Sequence, residues 1–367
     1  MTQKKKILHI IQSLNNGGCE NMLLRTLPLL TDFEHIIITL KKLGELVPTF
    51  VSAGITVKTI HCDSFLNISG IFRLRKIVKE ESPDIIITYL FHADMLGRLF
   101  LQTQNTPIIP FLRTTYNHPK YLIARIMEWL TKPLVNHYLA NSEAVKDFYI
   151  KHIGVSPEKI TVIPNGIDIA YFNSITPDPE LRKSLGIDQD DCVITCVANL
   201  HINKGHCYLL EAFESLSCHS HEKLLLVGDG DERKNLEQQI KHYQSKENIL
   251  FLGKRGDVPK LLKISNLFVL PTLFEGQSNA IMEAMASGIP TITTDIPENR
   301  ILVENNINGL LIPVQNSSSL AKKIQQLMEN PEMRETITNN AKQTIQNSFP
   351  LEKIVKKWEN ILMETIK

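Results

Sequence analysis

The sequence predicts an α/β protein made of two doubly wound, Rossmann-like domains. Three observations carry this. The chain has 367 residues, longer than the roughly 250 to 300 at which a single core stops growing. Its 43% hydrophobic and 22% charged residues give an ordinary globular composition with material for sizeable cores. Short β-rich runs alternate with segments of helical period almost from end to end, the pattern of parallel sheets flanked by helices.

Taken in order, "ILHII", "HIIIT", "ITVKTI", "DIIITY", "PIIPF" and "HYLA" read as strands of the first domain. Segments of helical period separate them, among them 20–30 and 71–79. The opening apolar run ends at Gln12, shorter than the ~7 to 15 apolar residues of a secretory leader followed by its cleavage site, and reads as the first strand. Pro177, Pro179 and their charged neighbours read as a linker. The second series runs "CVITCVA", "KLLLVG", "NILFLG", "LFVLP", "TITT" and "GLLIP". Expected domains are therefore 1–180 and 190–345, meeting near 172–190. A final helix over 350–367 carries Trp358 and is expected to bridge the domains, crossing back to the first one.

Forty basic and thirty-nine acidic side chains leave no global field for wrapping nucleic acid. Up to residue 180 there are 19 basic and 16 acidic residues, a small basic skew of the first half. Six cysteines, Cys19, Cys62, Cys192, Cys196, Cys207 and Cys218, show no C-x-x-C pair and no zinc spacing, which fits reduced thiols in a cytoplasmic protein. No apolar run approaches the ~18 residues of a membrane span.

The chemistry concentrates in "LFEGQSNAIMEAMASGIP". Ser278 suits an N-cap, 280–287 are good helix formers, Gly288 suits the left-handed stop and Pro290 prevents continuation. A helix is thus expected to begin at the C-terminal edge of the strand "NLFVLP", where open parallel sheets bind ligands and free N–H groups meet phosphate. Gly276 lets the backbone come close. Glu275 precedes the helix and Glu283 lies over a turn inside it, so the two carboxylates could grip hydroxyls at either end of a diphosphate-linked molecule. The plainer alternative is a dipole-complementing cap at Glu275 and a solvated helix residue at Glu283. Asn199, then Lys204 and Gly205, follow one strand of the same domain, and Gly228 and Gly230 follow another, where close approach to a ligand is sterically allowed. Together these turns describe a phosphate-binding rim.

These residues resemble the retaining glycosyltransferases of family four, two-domain GT-B enzymes whose Rossmann-like halves face across a cleft and use nucleotide-activated sugars. The similarity spans nearly the whole chain. "FEGQSNAIMEAMASGIPTITTD" resembles the family's Glu, seven residues, Glu signature, "NKGHCYLLEAF" its Lys-Gly helix start and "VGDGDER" its Gly-Asp-Gly turn. "VIPNGID" resembles the stretch closing the first domain, "LNNGGCENMLLRTL" the Gly-Gly loop, and "LFHADMLGRL" the segment with a histidine beside the transferred sugar. The resemblance implies that Glu275 holds the transferred sugar and Glu283 the ribose. Lys204 and the amides around Gln277, Ser278 and Asn279 would hold the diphosphate, His92 would serve a sugar hydroxyl or the leaving phosphate, and Gly17 and Gly18 would let the first domain approach that diphosphate. The family commonly has arginine where this chain has Asn199, which puts more of the charge on Lys204. A fixed cation with oriented amides stabilises a departing nucleoside diphosphate, so no cofactor or metal is expected. Asp229, beside two glycines, is the residue to check before a metal is dismissed.

The expected activity is transfer of a hexose or N-acetylhexosamine from a nucleotide sugar, favouring UDP, to a polysaccharide, glycolipid or lipid-linked saccharide. A GDP-mannose-dependent mannosyltransferase and a non-catalytic nucleotide-sugar binder are the alternatives; a sugar phosphorylase or epimerase is a further reading. His118 is a weaker acceptor-side candidate, and His201 and His206 read as surface groups. The stretch "YLIARIMEWLTKPLVNHYLA" sets Tyr121, Leu122, Ile126, Trp129 and Leu130 against Arg125, Glu128 and Lys132. It reads either as a helix packed on the first sheet or as a shallow, peripheral contact with the inner leaflet of the plasma membrane.

Overall fold

The computed structural model describes residues 4–15, 17–62, 64–65, 67–102, 106–116, 121–216 and 221–366. His118 and Cys218 lie outside the described residues. Contacts divide the chain into one unit of Met1–Gly166 with Leu351–Lys367 and a second of Ile167–Pro350.

In the first unit the strands are β1 (Lys5–Ile11), β2 (Phe33–Thr39), β3 (Thr56–Thr59), β4 (Ile85–Tyr89), β5 (Ile108–Leu112), β6 (Tyr138–Ala140) and β7 (Ile160–Val162). Its helices are α1 (Gly18–Thr26), α2 (Val47–Ser52), α3 (Ile68–Glu81), α4 (Leu90–Phe100), α5 (Leu122–Thr131) and α6 (Glu143–Phe148). The seven strands pair in parallel in the order β3-β2-β1-β4-β5-β6-β7. The two-residue period of the strands sorts the core. Ile7 and Ile11 of β1 face one layer, Leu8 and Ile10 the other, where Leu74 and Val78 of α3 and Leu96 of α4 pack. Helix α1 stops at Thr26 and gives way to a 3-10 turn at Leu27–Leu29, because Pro28 cannot donate the next helical hydrogen bond.

The second unit holds β8 (Cys192–Val197), β9 (Glu222–Val227), β10 (Ile249–Gly253), β11 (Leu267–Leu270), β12 (Thr291–Thr294) and β13 (Leu310–Ile312). Between and around them run α7 (Ile169–Ser174), α8 (Pro179–Ser184), α9 (His206–Glu214), α10 (Arg233–Gln239), α11 (Val258–Lys263), α12 (Asn279–Ser287), α13 (Pro297–Arg300), α14 (Ser317–Glu329) and α15 (Pro331–Ser348). Its six strands are again all parallel, in the order β10-β9-β8-β11-β12-β13. Helices cover both faces, and the strands are mostly apolar and buried, as expected of a parallel sheet covered on both sides.

The division of the chain falls earlier than the 172–190 linker. Ile167 and Phe172 are buried in the second unit's core with Phe349, and Ile167 N–H donates to the Phe349 carbonyl at 2.9 Å. The prolines read as a linker lie beside and within α8. Pro179 occupies its first turn, where a missing N–H costs nothing, and Asp178 caps it by accepting from Leu181 N at 3.1 Å. Helix α16 (Leu351–Ile366) lays Ile354, Val355, Trp358 and Leu362 into the core of the first unit. There Trp358 meets Phe111 edge to face, ring centroids 5.3 Å apart.

Candidate functional site

Each sheet reverses its strand order once, between β1 and β4 in the first unit and between β8 and β11 in the second. In a doubly wound sheet the loops leaving the two strands at such a reversal run to opposite faces and open a crevice beyond their carboxyl ends. In the second unit the loop after β8 carries Asn199 and Lys204, and the loop after β11 carries Glu275. The loop after β1 leads through Gly17 and Gly18 into α1, and His92 stands in the first turn of α4 directly after β4.

The structure brings Lys204 and Glu275 together: Lys204 Nζ lies 2.5 Å from Glu275 Oε1, with both side chains about four-fifths or more buried. The backbone sets this distance. Gly205, at φ 68°, caps α9, and a Cβ on it would lie 2.1 Å from the Pro271 carbonyl, so only glycine lets the two loops touch. Thr272 Oγ1 and Leu273 N both donate to the Asn203 carbonyl, at 3.1 and 2.7 Å. The cation and the carboxylate therefore sit on loops that are bolted to each other.

Helix α12 begins where its N-cap is expected. Ser278 Oγ accepts from Ile281 N at 3.4 Å, and Gly288 closes the helix. Gly276, Gln277 and Ser278 are buried and Asn279 is half-buried. Glu283 is buried on α12 with 8% of its surface exposed, so it is no solvated helix residue.

The neighbouring turns are closely packed, and the surface reading of His206 needs correction. Gly228, at φ 142°, is crowded by protein: its missing Cβ would lie 2.0 Å from the Ala198 carbonyl, and one on Gly230 2.4 Å from that of Leu200. These glycines serve the packing of one strand-end turn on the next. Asn199 is exposed, and its carbonyl accepts from His201 N at 2.7 Å. Asp229 is exposed and accepts from Gly230 N at 2.9 Å; among the described residues no group of three or more His, Cys, Asp or Glu could hold a metal ion. His206 is not at the surface. It shows 3% exposure, neither ring nitrogen has a hydrogen-bond partner, and burial, with Lys204 adding to it, pushes its pKa down to about 4.

In the first unit His92 is half-buried, its ring stacked on Phe65 with centroids 4.2 Å apart and planes 12° from parallel. The chain enters α4 through Leu90 at φ 68°, a left-handed conformation that a branched side chain adopts only where its surroundings impose it, and such strain clusters at functional places. Sequence reasoning missed what lies beneath. Arg98 of α4 and Glu128 of α5 form a buried ion pair, which Thr131 Oγ1 and Tyr149 Oη join at 3.0 and 3.2 Å. Helix α5 is consequently turned the other way from an ordinary surface helix. Its acid points inward, and Leu122, Ile123, Ile126, Trp129 and Leu130 are 48 to 74% exposed on the outward side.

Two parallel-sheet Rossmann-like units, the second with a lysine–glutamate pair beyond its strand ends, have the architecture of a GT-B glycosyltransferase. The chain belongs to that class by sequence as well: residues 17–171 match the model of Glycosyltransferase Family 4 and residues 177–344 that of Glycosyl transferases group 1. A curated Escherichia coli relative, a UDP-Gal:alpha-D-GlcNAc-diphosphoundecaprenol alpha-1,3-galactosyltransferase, is 28% identical over 82% of this chain and 80% of its own length. A Campylobacter jejuni relative, an N-acetylgalactosamine-N,N'-diacetylbacillosaminyl-diphospho-undecaprenol 4-alpha-N-acetylgalactosaminyltransferase, is 25% identical over 92% of this chain and 94% of its own. Among solved structures, Anabaena HepE in complex with UDP-glucose superposes with a TM-score of 0.88 at 24% identity, covering 98% of this chain and 99% of that one. No helix among the described residues is long and apolar enough to cross a membrane.

Proposed function

We propose that this glycosyltransferase moves a hexose or N-acetylhexosamine from a UDP-sugar to a lipid-linked saccharide, with retention of anomeric configuration and without a metal. The observation that carries the reading is the contact of Lys204 with Glu275 at the sheet reversal of the second unit, in the loops leading to α9 and α12. With donor bound, Lys204 would leave Glu275 for the diphosphate, where a fixed cation and the amides of Gln277, Ser278 and Asn279 offset the charge of the departing nucleotide. Glu275 would then be released to accept hydrogen bonds from the transferred sugar, and Glu283 from the ribose. His92 would serve the transferred sugar or the leaving phosphate. The lipid-linked acceptor is supported by the diphosphoundecaprenol-linked substrates in the names of the Escherichia coli and Campylobacter relatives. The outward apolar face of α5 supports shallow contact with the inner leaflet, because a helix that shows its apolar face and hides its acid gains from a lipid surface.

Calorimetry with UDP, UDP-hexoses, UDP-N-acetylhexosamines and GDP-mannose tests the donor. Tight binding of UDP species is expected, and preference for GDP-mannose would overturn the choice of nucleotide. Donor hydrolysis in excess chelator, with the released anomer followed by NMR, tests the other two elements. Loss of turnover on chelation or prompt release of the inverted anomer would refute metal independence or retention respectively.

A further inference from the structure

A row of three polar rings crosses the apolar core of the first unit. His35 of β2, His9 of β1 and Tyr89 of β4 stand on neighbouring strands and, by the two-residue period, on the face that Ile7, Ile37 and Ile87 also line. The register sets them on a diagonal. His35 lies opposite Ile7, His9 lies opposite Ile87, and Tyr89 comes two residues after Ile87, so each step moves one side-chain repeat towards the carboxyl ends of the strands. The rings are hydrogen-bonded in series. His35 Nε2 lies 3.3 Å from the Leu30 carbonyl oxygen, His35 Nδ1 lies 3.0 Å from His9 Nε2, and His9 Nδ1 lies 2.9 Å from the Tyr89 hydroxyl. All three side chains are buried.

One carbonyl fixes the direction of the whole series. The Leu30 oxygen can only accept, so His35 Nε2 carries the proton and His35 Nδ1 accepts from His9 Nε2. His9 Nδ1 is left to accept, and the Tyr89 hydroxyl donates to it. Both rings must be neutral for this, and burial pushes both below the ordinary imidazole pKa, that of His35 to about 4.

The series ends at the turn that presents His92. Tyr89 closes β4 and is the N-cap of α4, Leu90 follows at φ 68°, and the His92 ring two residues further on is stacked on Phe65. The left-handed conformation at Leu90 persists only where the surroundings hold it. On the helix side the buried Ala93, Met95 and Leu96 of α4 do so; on the strand side the bond from Tyr89 to His9 does. Isoleucine fills the neighbouring positions of this face without the cost of burying polar groups. What the rings add is a directional tie from the sheet to the start of α4.

Resting on the transferase reading above and the role it gives His92, we propose that Tyr89 and His9, oriented by His35, are positioning residues that hold the strained entry of α4 and so present the His92 ring in one fixed place.

UDP release from the UDP-sugar that binds best, measured with the full chain, tests this. Tyr89→Phe keeps the ring and removes only the donor. It should lower kcat about tenfold or more, as misplacement of a reacting group does, and leave KM for the donor within about twofold. His9→Leu should lose turnover in the same way, and His9→Gln, whose amide can accept from Tyr89 and donate to His35, should recover most of it. In a His92→Ala background Tyr89→Phe should cost less than about a further twofold, because its effect runs through His92. Long-range proton–nitrogen NMR at neutral pH should find both His9 and His35 protonated on Nε2.

Wild-type turnover in Tyr89→Phe beside a low turnover in His92→Ala would overturn the positioning role, as would His9→Gln no better than His9→Leu. A full loss from Tyr89→Phe in the His92→Ala background would overturn it in favour of a purely structural role, and a proton on His9 Nδ1 would break the series. Wild-type turnover in His92→Ala would strike the role of His92 and this proposal with it. A wild type that turns over no UDP-sugar would strike the transferase reading instead, and the His9 tautomer would still decide the series, so the failures are distinguishable.

Discussion

Arg98 and Glu128 meet inside the first unit with Nη1 2.5 Å from Oε2 and no side-chain surface exposed on either. The pair fixes the roll of α5 against α4, since Glu128 can reach Arg98 only if the apolar face of α5 turns outward. Burying one charge without the other is costly, so E128L or R98M alone should destabilise the first unit by about 3 to 5 kcal/mol, and the double replacement by much less. Both tryptophans, Trp129 and Trp358, belong to this unit, so tryptophan fluorescence during urea unfolding reads it selectively. Additive losses in the double variant would mean that the two charges do not act as a pair.

The outward face of α5 supplies the second prediction. Replacing Ile126 or Trp129, both about half exposed, with glutamate removes apolar contact and places an acid against anionic headgroups. Flotation with anionic vesicles at low salt should retain the wild type and lose both variants, while their urea midpoints change little because neither side chain is in the core. Equal flotation of the variants would rule out this face.

At the second unit's site, Lys204→Met should lower turnover by about 10² to 10³-fold, the scale of removing one preorganised group that stabilises developing charge. Glu275→Gln should cut turnover strongly and leave nucleotide affinity nearly intact, as expected of a group that touches the sugar. Collapse of UDP binding in Glu275→Gln, measured by calorimetry, would place the carboxylate on the nucleotide instead.

His206 makes the second unit acid-sensitive. Its folded pKa of about 4 lies below the ordinary 6.5, so between these values the unfolded chain binds a proton that the folded one refuses. Stability from this residue is full above pH 6.5 and is lost as pH falls towards 4, on the order of 3 kcal/mol in total. His206→Leu should flatten that slope in urea unfolding followed by circular dichroism between pH 4 and 7. A slope equal to that of wild type would show that His206 is not the group responsible.

Local chemistry was legible in the sequence wherever one short segment contains the whole device. The α12 start is such a case: Ser278, Gly288 and Pro290 mark its ends because capping and termination act over three or four residues. The strands were legible too, through their apolar runs. The linker was misread because Pro179 and Asp178 are as much a helix start as a break, and only the packing of Ile167, Phe172 and Phe349 separates the alternatives. That Gly228 is needed for the close approach of the turn at Ala198 could not be seen in the sequence, because the two turns follow different strands.

The sequence by itself determined that the chain alternates strand and helix in two series, and that a lysine and two glutamates lie at strand ends of the second; period, capping and spacing are properties of neighbours along the chain. Tertiary structure decided the order of the strands, hence which loops flank each sheet reversal, and so that Lys204 reaches Glu275 across 71 positions. It also decided which way α5 faces. Its apolar stripe faces outward while Glu128 turns inward to the buried Arg98 of the neighbouring helix, a pairing between two elements that no pattern along α5 itself contains.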